Sequence, residues 1–245
     1  MTSSLLPGVF VGSHAVAAGL LTRRQLRERS YRRLVHGVYA DPSLVFDHWL
    51  RCTGVALLLP AGAAIAGQSA AAWHGAPFAG PRDPVRVVRS PSVRWKGPRE
   101  VRVHQGELPP QGVEWHDDVP VTTALRTAWD VASWEPTGTA VAALDAMARS
   151  GSLDLSALEA LTGAGAGRTG VVRVRRAVEL VDPRAESAPE SWVRVALVMA
   201  GLAPVHQLEV RHDGVFVARV DLAFPDVALA VEHEGAHHPL SLIHI

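Results

Sequence analysis

Two apolar runs near the C-terminus, Val215-Phe216-Val217-Ala218-Arg219-Val220-Asp221 and Val227-Ala228-Leu229-Ala230-Val231-Glu232, each end at a carboxylate. Their length and β-branched content predict buried strands. An acid that terminates such a strand is delivered to a fixed point at the edge of a sheet, where a second acid can share a divalent cation with it. The second run continues into His233-Glu234-Gly235, and upstream Pro183 to Ser191 opens a helix that can carry a third carboxylate to the same place. His237 and His238 follow Glu234 closely. Imidazole beside carboxylates can hold a metal or protonate a leaving group, and because adjacent residues point in different directions, at most one of the pair serves. His36, His74, His104 and His116 have no ligand spacing and read as ordinary surface or core histidines.

A chain of 245 residues exceeds the usual single-domain length, so two cores are expected rather than one. Formal net charge is zero, so only the distribution of charge can speak for or against nucleic acid. Cys52 is the single cysteine, which excludes an internal disulfide framework, a zinc finger or any cysteine metal cluster and fits a reducing cytoplasm. No basic N-terminal region precedes an apolar core, and the most apolar stretch, residues 55–67, is short and broken by Pro60 and Gly62. The expectation is a cytoplasmic protein with no membrane segment. Lys96 is the one lysine, so an ordinary solvated face in this chain would be written in arginine.

At the N-terminus Ser13 and Thr22 stand as helix caps before residues 14–21 and 23–29, Gly19 as a turn, and residues 31–39 alternate about Gly37 as a tight hairpin does. This is the outline of a small winged helix-turn-helix. Arg23, Arg24, Arg27, Arg29, Arg32 and Arg33 crowd one helix and the start of the wing against Glu28 alone, a strong local positive patch on a neutral chain. On this reading Arg23, Arg24 and Arg27 lie on the helix that enters the major groove, and Arg32 and Arg33 contact backbone phosphate.

The middle of the chain predicts helices over residues 48–59 and 68–75, strands over 85–89 and 101–104, a helix over 123–132 capped by Thr122, and further helices over 140–149 and 155–161. Gly163 to Gly167 is a turn; without a preceding strand and a following Lys it is no phosphate loop.

Residues 13–41, with Gly75 and the 122–132 helix behind them, resemble the AbiEi-type antitoxins: a winged helix-turn-helix followed by an α/β domain, in proteins that repress their own operon. The pattern is Leu21-Thr22, Gln25-Leu26, Arg33-Leu34, Gly37-Val38-Tyr39, then Val121-Thr122, Arg126-Thr127 and Asp130. The last third resembles the very-short-patch-repair (Vsr)-like members of the PD-(D/E)XK nucleases through Glu190-Ser191, Arg219 to Pro225, and Val231 to Gly235 with His237-His238. By position, the resemblance implies Glu190 as the helix acid, Asp221 as the metal-bridging acid and Glu232 as the second strand acid. Glu234 stands where the superfamily usually has Lys, and an acid there can bind metal but offers no cation to the transition state. Residues 239–245 depart from the family continuation and are expected to fit no element of the fold, as in a truncated gene product.

The expectation is therefore an α+β protein: a winged helix-turn-helix over residues 1–45, an AbiEi-like α/β domain over 46–165, and an incomplete restriction-endonuclease-like domain with a mixed sheet over 166–245. The function it implies is binding of double-stranded DNA coupled to Mg²⁺-dependent phosphodiester hydrolysis. Asp221 and Glu232 would hold the metal, and Glu190 or Glu234 would orient a water. The alternative is a non-enzymatic autorepressor in a toxin–antitoxin or phage-defence operon, with a cognate toxin as partner.

Overall fold

The computed structural model describes residues 5–28, 30–165, 167–232 and 241–244. The architecture is α+β, and the chain divides into two compact units, residues 1–73 with 77–127 and residues 74–76 with 128–245. The expected boundaries at residues 45 and 165 lie inside these units.

The first unit opens with β1 (Val9–Val11), α1 (Gly12–Ala17), α2 (Arg23–Glu28), β2 (Arg32–Val35) and β3 (Val38–Ala40). The strands form an antiparallel sheet in the order β1-β3-β2, and the β2–β3 turn passes through Gly37 at φ 82°, a left-handed conformation that glycine adopts without steric cost. Thr22 caps α2 as expected: its Oγ1 accepts from Gln25 N at 3.1 Å while Gln25 Oε1 accepts from Thr22 N at 2.9 Å, a reciprocal capping box. Ser13 does not cap α1. That helix starts two residues earlier, at Gly12 after Val11, with no side-chain cap. The helix packs so closely on the hairpin that a Cβ on Gly12 would lie 2.7 Å from the Tyr39 ring and 2.8 Å from Leu26.

The unit continues through α3 (His48–Ala56), β4 (Ala63–Ile65), α4 (Gly67–Ala71), β5 (Val85–Arg89), β6 (Val101–Gln105), β7 (Val113–His116) and β8 (Val119–Thr122). Asp47 caps α3 by accepting from Leu50 N at 2.7 Å. The five strands run in the order β6-β5-β4-β8-β7, with β5/β6 and β4/β8 parallel and the rest antiparallel. Leu34, Val35 and Val38 of the hairpin share one buried core with Cys52, Val55, Ile65, Val85, Val87 and Val121. The buried residues described in the hairpin thus belong to the core of the five-stranded sheet.

The boundary between the units falls in α5 (Ala124–Trp134). The second unit holds α6 (Thr137–Arg149), α7 (Leu155–Ala164), α8 (Val171–Val178) and α9 (Ala188–Met199). Asp154 caps α7 by accepting from Ser156 N and Ala157 N. Four strands follow: β9 (Val205–His212), β10 (Val215–Phe224), β11 (Leu229–Glu232) and β12 (Ser241–His244).

Four expectations change here. The C-terminal sheet, ordered β12-β11-β10-β9, is antiparallel at every pairing described; the mixed sheet belongs to the first unit. β10 does not end at Asp221 but runs on to Phe224 through the buried Leu222 and Ala223, whereas Val215 to Val217, expected to be buried, are exposed. Residues 241–244, expected to join no element, pair with β11 as β12, Glu232 opposite Ser241. The run expected from Val227 begins as a strand at Leu229, since Pro225–Val227 forms a 3₁₀ turn and Ala228 takes a left-handed φ of 47°.

Candidate functional site

The acid site is built on α9, β9, β10 and β11. Ser187 is the N-cap of α9, accepting from Glu190 N at 3.3 Å, and Glu190 stands three residues on, the acidic position of a capping box. Glu190 Oε2 accepts from Glu186 N at 2.8 Å and Oε1 from Gln207 Nε2 at 3.0 Å. The side chain is buried at 2% exposure. Burial pushes its carboxyl above the usual range and the nearby Asp221 adds to this, while the donors from Glu186 and Gln207 pull it back.

The β10–β11 register pairs Leu222 with Val231 and Ala223 with Ala230; continued by one residue it sets Asp221 opposite Glu232. Direct cross-strand partners share a face of the sheet. Arg219, two residues before Asp221 and so on that same face, reaches Glu186 Oε1 at 2.7 Å, which turns the face toward the start of α9. Asp221 and Glu232 are thus the next residues beyond the last described β10–β11 pair, Leu222 with Val231, and Glu190 is close enough to Asp221 to feel its charge. Glu234, His237 and His238 lie outside the described residues.

His206 was not singled out by sequence. On β9 opposite Leu222, it is buried, its Nδ1 lies 3.5 Å from Asp182 Oδ2, and neither ring nitrogen has a hydrogen-bond partner. Burial holds its pKa down to about 4, helped by Arg194 and Arg184 and opposed by Asp182 and Asp221. Asp182 is raised by burial but brought net below its ordinary value by Arg184, which binds it through Nε, Nη2 and backbone N–H. The only sequence signal for this pair is an acid and a histidine at the ends of two elements, which is too common to single out.

Among the described residues no group of three or more His, Cys, Asp or Glu side chains is placed to hold a metal ion. Both Glu190 oxygens already accept hydrogen bonds from the protein. Asp221 and Glu232 are thus the carboxylates among the described acids that would be left to hold a Mg²⁺ ion.

The basic site lies on the first unit. α2 has no buried residue, and Arg23, Arg24 and Arg27 are all exposed. Arg24 pairs with Glu28 at 2.8 Å on the open helix face, where such a pair contributes little. Arg33 is exposed on β2, beside an open pocket of about 380 Å³ lined by Arg33, His36, Pro98, Arg99 and Glu100. Arg99 had no place in the sequence reading. It comes from the loop before β6 and brings a second, exposed guanidinium to the wing turn. Arg32 differs from its neighbour: its Nη1 donates to Leu44 O at 3.1 Å and its guanidinium lies over the Phe46 ring at 5.3 Å. That arginine serves the fold. Arg29 lies outside the described residues, and none of the described helices is long and apolar enough to cross a membrane.

No family model matches the chain. Two uncharacterized proteins of Mycobacterium tuberculosis, MT2308 of strain CDC 1551 and Rv2248 of strain H37Rv, are each 37% identical to it over 115 residues, 46% of this chain and 42% of theirs. The chain thus spans less than half the length of the curated relatives it matches. Among solved structures, the crystal structure of the RV2827C protein from Mycobacterium tuberculosis is similar at 18% identity and a TM-score of 0.46, covering 85% of this chain and 82% of that one.

Proposed function

We propose that this is a double-stranded DNA-binding protein that uses α2 and the β2–β3 hairpin as a winged helix-turn-helix, in the service of transcriptional regulation. The observation that carries this is the exposure of Arg23, Arg24 and Arg27 on a helix with no buried residue, with Arg33 exposed on the adjoining hairpin. Exposed cations on a helix face can meet phosphate, the surface pair of Arg24 with Glu28 being a weak competitor, and a neutral chain gains local affinity only by gathering charge in this way. On the regulator reading a cognate toxin is the second partner. The test is fluorescence anisotropy of labelled duplex DNA with the full chain over a salt series, comparing wild type with Arg23→Glu/Arg27→Glu. Salt-sensitive binding that the double reversal abolishes is expected. Undetectable binding by folded wild-type protein at low salt would overturn the proposal.

A second reading, metal-dependent phosphodiester hydrolysis by the C-terminal unit, is favoured by one observation: the buried Glu190 feels the charge of Asp221, the residue before the described β10–β11 pair Leu222–Val231. It predicts that nicking of supercoiled DNA requires Mg²⁺ or Mn²⁺ and is lost in Asp221→Ala while duplex affinity stays. Cleavage that survives both EDTA and that substitution would rule the reading out.

A further inference from the structure

Strand β9 forms an outer edge of the C-terminal sheet, and among the described residues no strand pairs with its far side. An edge strand presents a row of unpaired backbone N–H and C=O groups, and another strand can add to it. Glu209 and Arg211 stand on either side of Val210, both exposed and paired with each other on the open face, Arg211 Nη2 donating to Glu209 Oε2 at 2.7 Å, and Val215, Phe216 and Val217 of the adjoining hairpin arm are 67%, 53% and 58% exposed.

We propose that β9 pairs antiparallel with β9 of a second copy of this chain, about a two-fold axis at Val210, so that the sheet continues across a symmetric dimer. In such a pairing each residue meets its symmetry complement. With Val210 opposite Val210, Glu209 of each copy faces Arg211 of the other, and Leu208 faces His212. Centring the pair instead on Glu209 or on Arg211 would set like charges directly opposite, which is unfavourable. The charges that guard this edge against indiscriminate pairing thus also select one self-complementary register.

Side-chain continuity points the same way. Within one copy Leu208 pairs with Val220 and His212 with Val215. Val220, together with Leu208 and Val210, belongs to the small apolar cluster of this sheet. In the proposed register the row Val220-Leu208 runs on into His212 and Val215 of the second copy, so the exposed Val215 extends an existing apolar row. The irregularity between Phe216 and Ala218 lies on β10, and the left-handed Gln207 and Asp213, each at φ 49°, confine the pairing stretch of β9 to residues 208–212.

The experiment is sedimentation velocity on the full chain over a concentration series. Wild type is expected to pass from monomer to dimer as concentration rises. Glu209→Arg alone and Arg211→Glu alone should each stay monomeric where wild type is dimeric, since each sets like charges opposite one another. An equimolar mixture of the two variants should recover the dimer, because each facing pair again joins unlike charges. The double exchange Glu209→Arg/Arg211→Glu in one chain should dimerise as wild type does, which separates lost pairing from lost folding. A wild type that stays monomeric throughout, a dimer that neither substitution weakens, or a mixture that stays monomeric while the double exchange dimerises would overturn the proposal.

Discussion

Arg194 Nη2 donates to Asp145 Oδ2 at 2.7 Å, joining α9 to α6 with side chains only 6% and 1% exposed. Ser191 Oγ donates to the same oxygen at 2.7 Å, and Asp182 N donates to Oδ1 at 2.7 Å. Arg194 also donates to Leu180 O. Burial raises the Asp145 carboxyl, and Ser191, Arg194 and Asp182 N–H oppose that rise. The cluster fixes the first turns of α9 and hence the position of Glu190 over the sheet.

Arg194 Nε is buried without a hydrogen-bond partner, so the pair is held by its Nη1 and Nη2 donors, and breaking a buried pair by removing one member costs far more than replacing both. Arg194→Met should therefore cost about 3–5 kcal/mol in urea unfolding, because it leaves Asp145 charged and buried. The double change Asp145→Leu/Arg194→Met should lie nearer wild type than either single change. A single-variant loss of under about 1 kcal/mol, the range of an exposed pair, would show that the bridge does not hold α9.

His206 gives the fold a pH dependence of defined sign. Its folded pKa is depressed by burial to about 4 from an ordinary 6.5, so the unfolded chain binds more protons between those values. Its contribution is complete above pH 6.5 and is lost as pH falls toward 4, by about 3 kcal/mol over the whole window. His104, also depressed to about 4 by burial and by Arg86 and Arg102, acts in the same direction. Asp145 and Glu190, both raised by burial, act oppositely: their stability is present at low pH and lost as pH rises through their folded values. Unfolding free energies measured at intervals from pH 7 to pH 4 should fall less steeply for His206→Gln than for wild type. Equal slopes would mean that this imidazole is not held neutral by burial.

Gly75 has φ +91°, and a Cβ there would lie 2.4 Å from Ser150 Oγ and 2.6 Å from Ser150 Cβ. Ser150 is itself fixed by donating to His74 O at 3.1 Å and Met147 O at 2.8 Å. Gly75→Ala should destabilise by about 1–3 kcal/mol, and Gly75→Ala/Ser150→Gly should recover only the steric share, leaving the left-handed backbone strain. Thermal melting of the three proteins checks both parts; full recovery in the double variant would assign the whole cost to the clash.

Local signals carried the strands at Val85–Arg89 and from Val101, the hairpin about Gly37 and the Thr22 cap, since alternation and capping chemistry are written within a few residues. Strand ends at Asp221 and Val227 were misplaced because polarity at one residue does not stop a strand whose next residues are buried, whereas Pro225 and a left-handed Ala228 do delay one. The Ser187-Ala188-Pro189-Glu190 sequence reads two ways, as a capping box and as an acid at a site, and the structure makes the Ser187 cap while Glu190 takes the N–H of Glu186, one residue before the N-cap. His206, Asp182 and the Asp145–Arg194 bridge were illegible: each depends on tertiary contacts between residues far apart in sequence. The same is true of Arg32 and Arg33, adjacent in sequence and alike in chemistry, which the sheet turns into one structural and one exposed cation.

That difference is measurable. If Arg23, Arg24, Arg27 and Arg33 each neutralise one phosphate, log K should fall against log salt with a slope of about −3.6. Arg33→Ala should flatten the slope by about 0.9 and leave thermal stability unchanged. Arg32→Ala should do the reverse: its guanidinium is engaged with Leu44 O and the Phe46 ring, so its loss should lower the melting temperature while the slope stays near wild type. Replacing Arg23 or Arg24 should relax preference at particular base pairs by about 1–3 kcal/mol, the range of a bidentate guanine contact. The paired measurement of salt slope and melting temperature separates the roles, because a residue that only folds the hairpin moves the second and not the first. Equal flattening by Arg32→Ala and Arg33→Ala would mean that Arg32 leaves Phe46 to reach DNA and that its packing in the free protein is not retained in the complex.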